Sequence, residues 1–174
     1  IYMENKWVLI TGASGDIGRI TTDQVLKFTE FNIILTTNSK KLNLDSGSQR
    51  INQIEMDASC MESIIYASKK LSEYPISHFI QLHGNSRVND SLVNQTEDSL
   101  YYHFNINVFS TIFLLQKTIS GMQKRKFGRI VLMNTASSEY GGGLNSFGYG
   151  MAKHSVGYLT KHLAKYFTKY DALI

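Results

Sequence analysis

The sequence predicts an α/β fold, a doubly wound parallel sheet with helices on both faces, and three observations carry that prediction. Short apolar runs alternate with longer amphipathic segments, one crossover per run, which is the arrangement that produces parallel strands. The first run, Trp7-Val8-Leu9-Ile10, passes through a glycine turn, Thr11-Gly12-Ala13-Ser14-Gly15-Asp16-Ile17-Gly18, straight into a helical pattern. Successive runs then close on Thr11, Thr37, Asp57, His83 and Thr135, polar groups at the sheet edge where open α/β folds bind ligands.

Each element has its own local reason. After the turn, Ile20, Val25, Leu26 and Phe28 give partly helical spacing up to about Glu30, and Asn32-Ile33-Ile34-Leu35-Thr36-Thr37 reads as a buried strand. A polar loop from Asn38 to Gln49 leads to a third strand over Ile51 to Met56, ending at Asp57. Residues 59–73 read as a helix through Met61, Ile64, Ile65, Ser68 and Leu71, stopped before Pro75 by the steric restriction on the residue preceding proline. Ile76 to Leu82 forms the fourth strand, which His83-Gly84-Asn85 breaks. One long helix is predicted from Thr96 to Gln123, with Leu100, Phe104, Val108, Thr111, Leu115 and Ile119 along a face. Gly128 stops it, Arg129 to Met133 is the fifth strand, and a last helix from Phe147 to Tyr170 follows the loop Gly141-Gly142-Gly143.

Composition narrows the class. A chain of 174 residues with 43% apolar content can bury one sizeable core, so residues 1–174 read as a single domain. The net charge of +4 is dispersed, and its one tight cluster, Lys124-Arg125-Lys126, falls where a helix should end and cations are favoured anyway, so no nucleic-acid partner is expected. Cys60, the single cysteine, cannot form an internal disulfide and points to a reducing, cytoplasmic compartment. The most apolar stretch, Ile106 to Leu115, carries Asn107, Ser110 and Thr111 and is far short of the roughly twenty residues a membrane span needs.

Two stretches carry chemistry. A helix N-terminus offers free N–H groups and a positive dipole end, so the glycine turn is a phosphate cradle, although such a turn alone fits a plain connection equally well. The second stretch is Tyr149-Gly150-Met151-Ala152-Lys153, whose helical spacing sets Lys153 one turn beyond Tyr149. A neighbouring ammonium favours phenolate and lowers a tyrosine pKa from about 10 toward neutrality, which makes the phenol a usable acid and base.

Together these stretches resemble the classical short-chain dehydrogenase/reductase family from Lys6 to the last residue. Thr11 to Gly18 matches the family's Thr-Gly-x-x-x-Gly-x-Gly except at the middle glycine, and Tyr149 and Lys153 match its Tyr-x-x-x-Lys. Asn107, with Gln116 and Met122 in register behind it, matches the asparagine of the helix after the fourth strand, and Gly128-Arg129-Ile130-Val131 the start of the fifth strand. The resemblance implies a Rossmann-type fold and a ketone reductase or alcohol dehydrogenase working by direct hydride transfer without metal. Tyr149 is then the general acid and base, Lys153 lowers its pKa and holds the nicotinamide ribose, and Asn107 positions a water. Thr135 takes the place of the family's active-site serine, with Ser137 as the alternative. Gly12, Ser14, Gly15, Ile17, Gly18, Asn38, Asp57 and Gly84, with Tyr149 and Lys153, would bind the cofactor. Thr37-Asn38-Ser39-Lys40-Lys41 holds two lysines and no acid, which favours NADP, with NAD possible. A homodimer or homotetramer is implied, because relatives pair these long helices between subunits and here Tyr101, Phe109, Phe113, Tyr158 and Phe167 make them apolar on more than one face.

Three departures qualify the resemblance. Asp16 replaces the middle glycine, where its carboxylate opposes a pyrophosphate unless it points to water or caps the helix. Gln81-Leu82-His83-Gly84 stands for Asn-Asn-Ala-Gly, leaving His83 as a cofactor-loop residue or a filler; with no second ligand at metal spacing it is no metal site. Asp171-Ala172-Leu173-Ile174 arrives where the family enters its sixth strand, so the sixth and seventh strands and the substrate loop are expected to be absent from this chain. That leaves two readings, part of a longer enzyme or a catalytically weak dinucleotide-binding or scaffold protein.

Overall fold

A computed structural model of the chain describes residues 6–38, 42, 50–87 and 89–174. Strand β1 (Trp7–Thr11), helix α1 (Asp16–Phe28), β2 (Asn32–Thr37) and β3 (Ile51–Glu55) come first, followed by α2 (Met61–Leu71) and β4 (Ile76–Gln81). Then come α3 (Glu97–Phe104), a widened π-helical turn (Asn105–Phe109), α4 (Ser110–Arg125), β5 (Gly128–Leu132), the short α5 (Ser137–Tyr140), α6 (Phe147–Phe167) and β6 (Ala172–Leu173). The strands form one parallel sheet in the order β3-β2-β1-β4-β5-β6, so the topology reverses between β1 and β4.

Alternation along the strands sorts side chains into two core layers. Val8, Ile10, Ile33 and Leu35 face one way, where Val25 and Leu26 of α1 pack on them. Leu9, Ile34 and Phe79 face the other way, into a layer shared with Leu71 of α2, Leu114 and Met122 of α4 and Leu163 of α6. Apart from the partly buried Val25 and Leu26, each of these buried side chains stabilises the fold by about 1.5–3 kcal/mol relative to exposure.

Three sequence expectations need correction. In α1, Ile20 and Phe28 are 63% and 69% exposed; the helix instead turns Gly18 and Thr22 inward beside Val25 and Leu26, so small residues make its close face. The long helix over 96–123 runs on unbroken, but it is not α-helical throughout: residues Asn105–Phe109 form a π-helical turn. The Asn107 side-chain amide takes the His103 carbonyl at 2.9 Å, and Ser110 and Thr111 bond back to Ile106 and Asn107, which opens the helix at that turn. The sixth strand is not wholly missing either: Ala172 and Leu173 pair with Gly128 and Arg129. Asp171 anchors that entry, its carbonyl accepting from Gly128 N at 3.0 Å and from the Arg129 guanidinium at 2.7 Å.

Candidate active site

The glycine turn is built by close approach. Gly12 has φ +67°, and a Cβ on it would lie 2.7 Å from the amide nitrogen of His83, in the loop after β4. A Cβ on Gly18 would stand 2.1 Å from the Gly12 carbonyl oxygen, so α1 can leave the turn this tightly only with glycine there. Gly18→Ala is therefore expected to cost about 3 kcal/mol or more in urea denaturation and to abolish dinucleotide binding, an overpacking effect against rigid backbone. Gly143→Ala meets nothing within 4 Å and should stay within about 0.5 kcal/mol.

The N-cap of α1 is Gly15, which makes no side-chain cap bond. Asp16 is thus not the cap; it is the exposed first residue of the helix, where the dipole favours a carboxylate, and it does not line the cleft.

Above the carboxyl ends of the strands, at the point of topological reversal, lies a cleft of about 420 Å³. Gly12, Ser14 and Gly15 form one wall, Asn38 and Asp57 continue it past β2 and β3, and Gly84 and Asn85 close it after β4. Asp57 Oδ1 accepts from Ser59 N at 2.8 Å and Ser59 Oγ at 2.7 Å, which fixes the carboxylate at the start of α2. Ile17 and Gly18 do not line the cleft: Ile17 is 58% exposed on α1, and Gly18 serves the turn from behind. Ser39, Lys40 and Lys41, on which the cofactor preference turned, lie outside the described residues.

The loop after β4 replaces the expected asparagines by a buried network. His83 Nδ1 lies 2.7 Å from Thr11 Oγ1 and Nε2 lies 2.6 Å from Ser110 Oγ. The Ser110 hydroxyl is already donating to the Ile106 carbonyl, so it accepts from His83 Nε2–H, and Nδ1 accepts from Thr11. Burial, with the Lys153 ammonium second, pushes the imidazole down to about 3, which keeps it neutral. His83 thus ties β1 to the widened turn rather than filling space. Gln81 clips the same loop to β5, donating to the His83 carbonyl and accepting from Met133 N at 3.1 Å.

Gly84 joins this cleft to the second stretch. A Cβ there would lie 3.0 Å from Asn107 Oδ1 and 3.2 Å from Lys153 Nζ. Lys153 is 1% exposed and donates to the Met133 carbonyl at 2.8 Å; burial pushes its amine down to about 8. Asn107 donates to the Asn85 and His103 carbonyls, while its buried Oδ1 has no hydrogen-bond partner among the described residues. Tyr149 is half-buried one turn before Lys153. Thr135 is half-buried before α5, its hydroxyl accepting from Ser137 N at 3.4 Å, and Ser137 packs against Gly142 and lies beside Gly150. Both hydroxyl candidates therefore sit within a turn of each other, and α5 is tied to α6 by His154 Nδ1–H donating to the Ser138 carbonyl at 2.8 Å.

One group escaped sequence reasoning. Asp90, 2% exposed, accepts from Tyr149 N at 2.8 Å through Oδ2, and its Oδ1 accepts from Gln95 and lies 3.2 Å from His103 Nε2. In the sequence it is an isolated aspartate in a turn-rich piece; in the fold a Cβ on Gly148 would stand 2.8 Å from its Oδ1. Among the described residues no group of three or more His, Cys, Asp or Glu is gathered to hold a metal ion, and no helix is long and apolar enough to cross a membrane.

A glycine turn at a helix N-terminus, facing a cleft at the reversal of a parallel sheet, defines a dinucleotide-binding fold of Rossmann type. The chain belongs to the short chain dehydrogenase family of oxidoreductases, whose family model matches residues 6–172. Among solved structures, a short-chain dehydrogenase from Streptomyces avermitilis aligns over 98% of this chain and 64% of its own, with 20% identity and a TM-score of 0.86. One from Leptospira borgpetersenii, solved with bound NAD+, aligns over 98% of this chain and 68% of its own (22% identity, TM-score 0.82). A third, from Sphingobium yanoikuyae in complex with NADPH, covers 95% of this chain and 66% of its own (20% identity, TM-score 0.83). At such identities the likeness speaks for the fold alone, and this chain spans about two thirds of these proteins' length. No curated protein matches the sequence.

Proposed function

We infer that this chain is the dinucleotide-binding domain, over residues 1–174, of an NADP(H)-dependent oxidoreductase that interconverts a small-molecule ketone and a secondary alcohol. The observation that carries the reading is the position of Gly84, which lines the dinucleotide cleft and abuts both Lys153 Nζ and Asn107 Oδ1. The cofactor end and the acid–base end of the site therefore share a wall.

The cleft fits a dinucleotide on its own geometry. Its volume lies within the roughly 300–1,000 Å³ of small-molecule sites. The turn leaves backbone N–H groups at the start of α1 for phosphates, with no side-chain cap competing for them. Gly12, Ser14 and Gly15 would hold the pyrophosphate, with Ile17 at the helix start and Gly18 keeping the turn tight; Asn38 and Asp57 would hold the adenosine end, and Lys153 the nicotinamide ribose. When bound, the nicotinamide supplies or accepts the hydride. The Tyr149 phenol gives its proton to the ketone oxygen and takes one from the alcohol in reverse. Thr135 (or Ser137) orients the substrate oxygen by its hydroxyl, and Asn107 orders the proton path behind Lys153. NADP is favoured by Lys40 and Lys41 and the absence of an acid over residues 37–41. A cytoplasmic site of action rests on the lone Cys60, and a homodimer or homotetramer on the exposure of Tyr101 (56%) and Tyr158 (69%).

Calorimetry with NADPH and NADH, followed by a ketone panel read at the nicotinamide absorbance band, tests this reading. NADPH is expected to bind more tightly and to be consumed with at least one ketone. Binding without turnover of any ketone would favour a scaffold role, and absence of binding to either dinucleotide would overturn both readings.

A further inference from the structure

We propose that Asp90 is a positioning residue for the catalytic helix, a buried carboxylate that, together with His103, locks Tyr149 to the helical arm carrying Asn107. The proposal rests on the acid–base role given to Tyr149 above, and its geometry is independent of any ligand. The first N–H groups of a helix have no partners within it. At α6 the residue placed to cap them, Ser146, makes no side-chain cap bond; its hydroxyl donates to the Gly143 carbonyl instead. Asp90, 59 residues before Tyr149, takes over the task. Its main-chain carbonyl accepts from Phe147 N at 2.8 Å and its Oδ2 accepts from Tyr149 N at 2.8 Å. Gly148 lies between these two bonds, and a Cβ there would come within 2.8 Å of both Asp90 Oδ1 and His103 Cδ2, so the helix start is fitted to this pair.

The other side of the device reaches Asn107. His103 is fully buried, with Nε2 packed 3.2 Å from Asp90 Oδ1 outside hydrogen-bond geometry, and its main-chain carbonyl accepts from Asn107 Nδ2 at 2.9 Å. A continuous set of contacts thus runs from Asn107 through His103 and Asp90 to the backbone of Tyr149. Burying the Asp90 charge is offset by the Tyr149 N–H, the Gln95 amide and the positive end of α6. A surface helix cap would need none of this. The burial makes sense where a small displacement of the phenol matters.

The test uses Asp90→Ala and Asp90→Asn, read by amide hydrogen exchange at Tyr149 and by kinetics with NADPH and a turned-over ketone. In Asp90→Ala the Tyr149 amide should exchange at least tenfold faster, with the Phe147 amide, bonded to the main chain, changing less. The same variant should lose at least tenfold in kcat while NADPH affinity stays within twofold, which a general loss of structure would not produce. Asp90→Asn keeps an oxygen for the Tyr149 amide but loses the charge, and should fall between wild type and alanine in both readouts. If Asp90→Ala does not fold, Asp90→Asn decides alone, and wild-type values of both kcat and Tyr149 exchange in it overturn the proposal. Unchanged Tyr149 exchange in Asp90→Ala, or a kcat loss matched by the loss of NADPH affinity, overturns it too. Should the wild-type protein reduce no ketone at all, the functional reading fails while hydrogen exchange still decides the role of Asp90.

Discussion

Tyr149→Phe is expected to lower kcat for ketone reduction by about 10²–10⁴-fold, the usual contribution of a positioned general acid. The substitution removes one hydroxyl and keeps the ring volume. The backbone N–H of residue 149 still donates to Asp90, and the buried neighbours of α6, Gly148, Gly150, Ala152 and Lys153, are untouched. The fold and the dinucleotide cleft should therefore survive, since Tyr149 does not line the cleft walls made by the glycine turn and the ends of β2 and β3. Calorimetric NADPH affinity should change little while the absorbance-monitored rate collapses. That split separates lost chemistry from lost binding. A variant that consumes NADPH at the wild-type rate would remove Tyr149 from the mechanism, and the neighbouring hydroxyls of Thr135 and Ser137 would then be the proton sources to test.

The difference between what the sequence disclosed and what it concealed follows from the kind of interaction involved. Backbone geometry at Gly12 and burial of Leu9, Ile34 and Phe79 leave marks on residue type, so the glycine turn and the strands were legible. Hydrophobic periodicity fails where the buried face is made of small residues, as at Gly18 and Thr22 in α1, because it counts apolar bulk and not closeness of approach. It also fails where side chains compete for backbone carbonyls: nothing in the spacing of Asn107, Ser110 and Thr111 announces that their polar groups will open a helix turn. Asp90 was concealed for a different reason. It meets Tyr149 only after the chain has run through α3, α4 and β5, and no local pattern encodes a contact across 59 residues. His83 lies between these cases: the sequence showed that it departs from the family's loop, and only the three-dimensional partners show why a histidine serves there.

Those partners make the fold acid-sensitive in a direction that can be worked out. His83 is held down to about 3, chiefly by burial and then by the Lys153 ammonium, against an ordinary value of 6.5 in the unfolded chain. Below pH 6.5 the unfolded chain takes up a proton that the folded chain refuses until about pH 3. The stability tied to His83 is thus complete above pH 6.5 and is lost progressively as the pH falls toward 3, by about 3–5 kcal/mol at the limit. His78, pushed down to about 4 by burial and by Lys6 and Arg129, acts with the same sign, and so does His103, lowered by its burial despite Asp90. Comparing wild type with His83→Gln isolates one contribution from the three. Urea denaturation from pH 7 to pH 4 should show wild-type stability falling more steeply than that of the variant, and parallel slopes would mean that His83 titrates normally in the fold. The consequence reaches the site, because protonating His83 adds a hydrogen where Nδ1 accepts from Thr11 and places a second positive charge near Lys153. The contact that holds β1 against the widened turn is then the first to be strained, so dinucleotide affinity should weaken in acid before the global transition, and in His83→Gln the two should fall together.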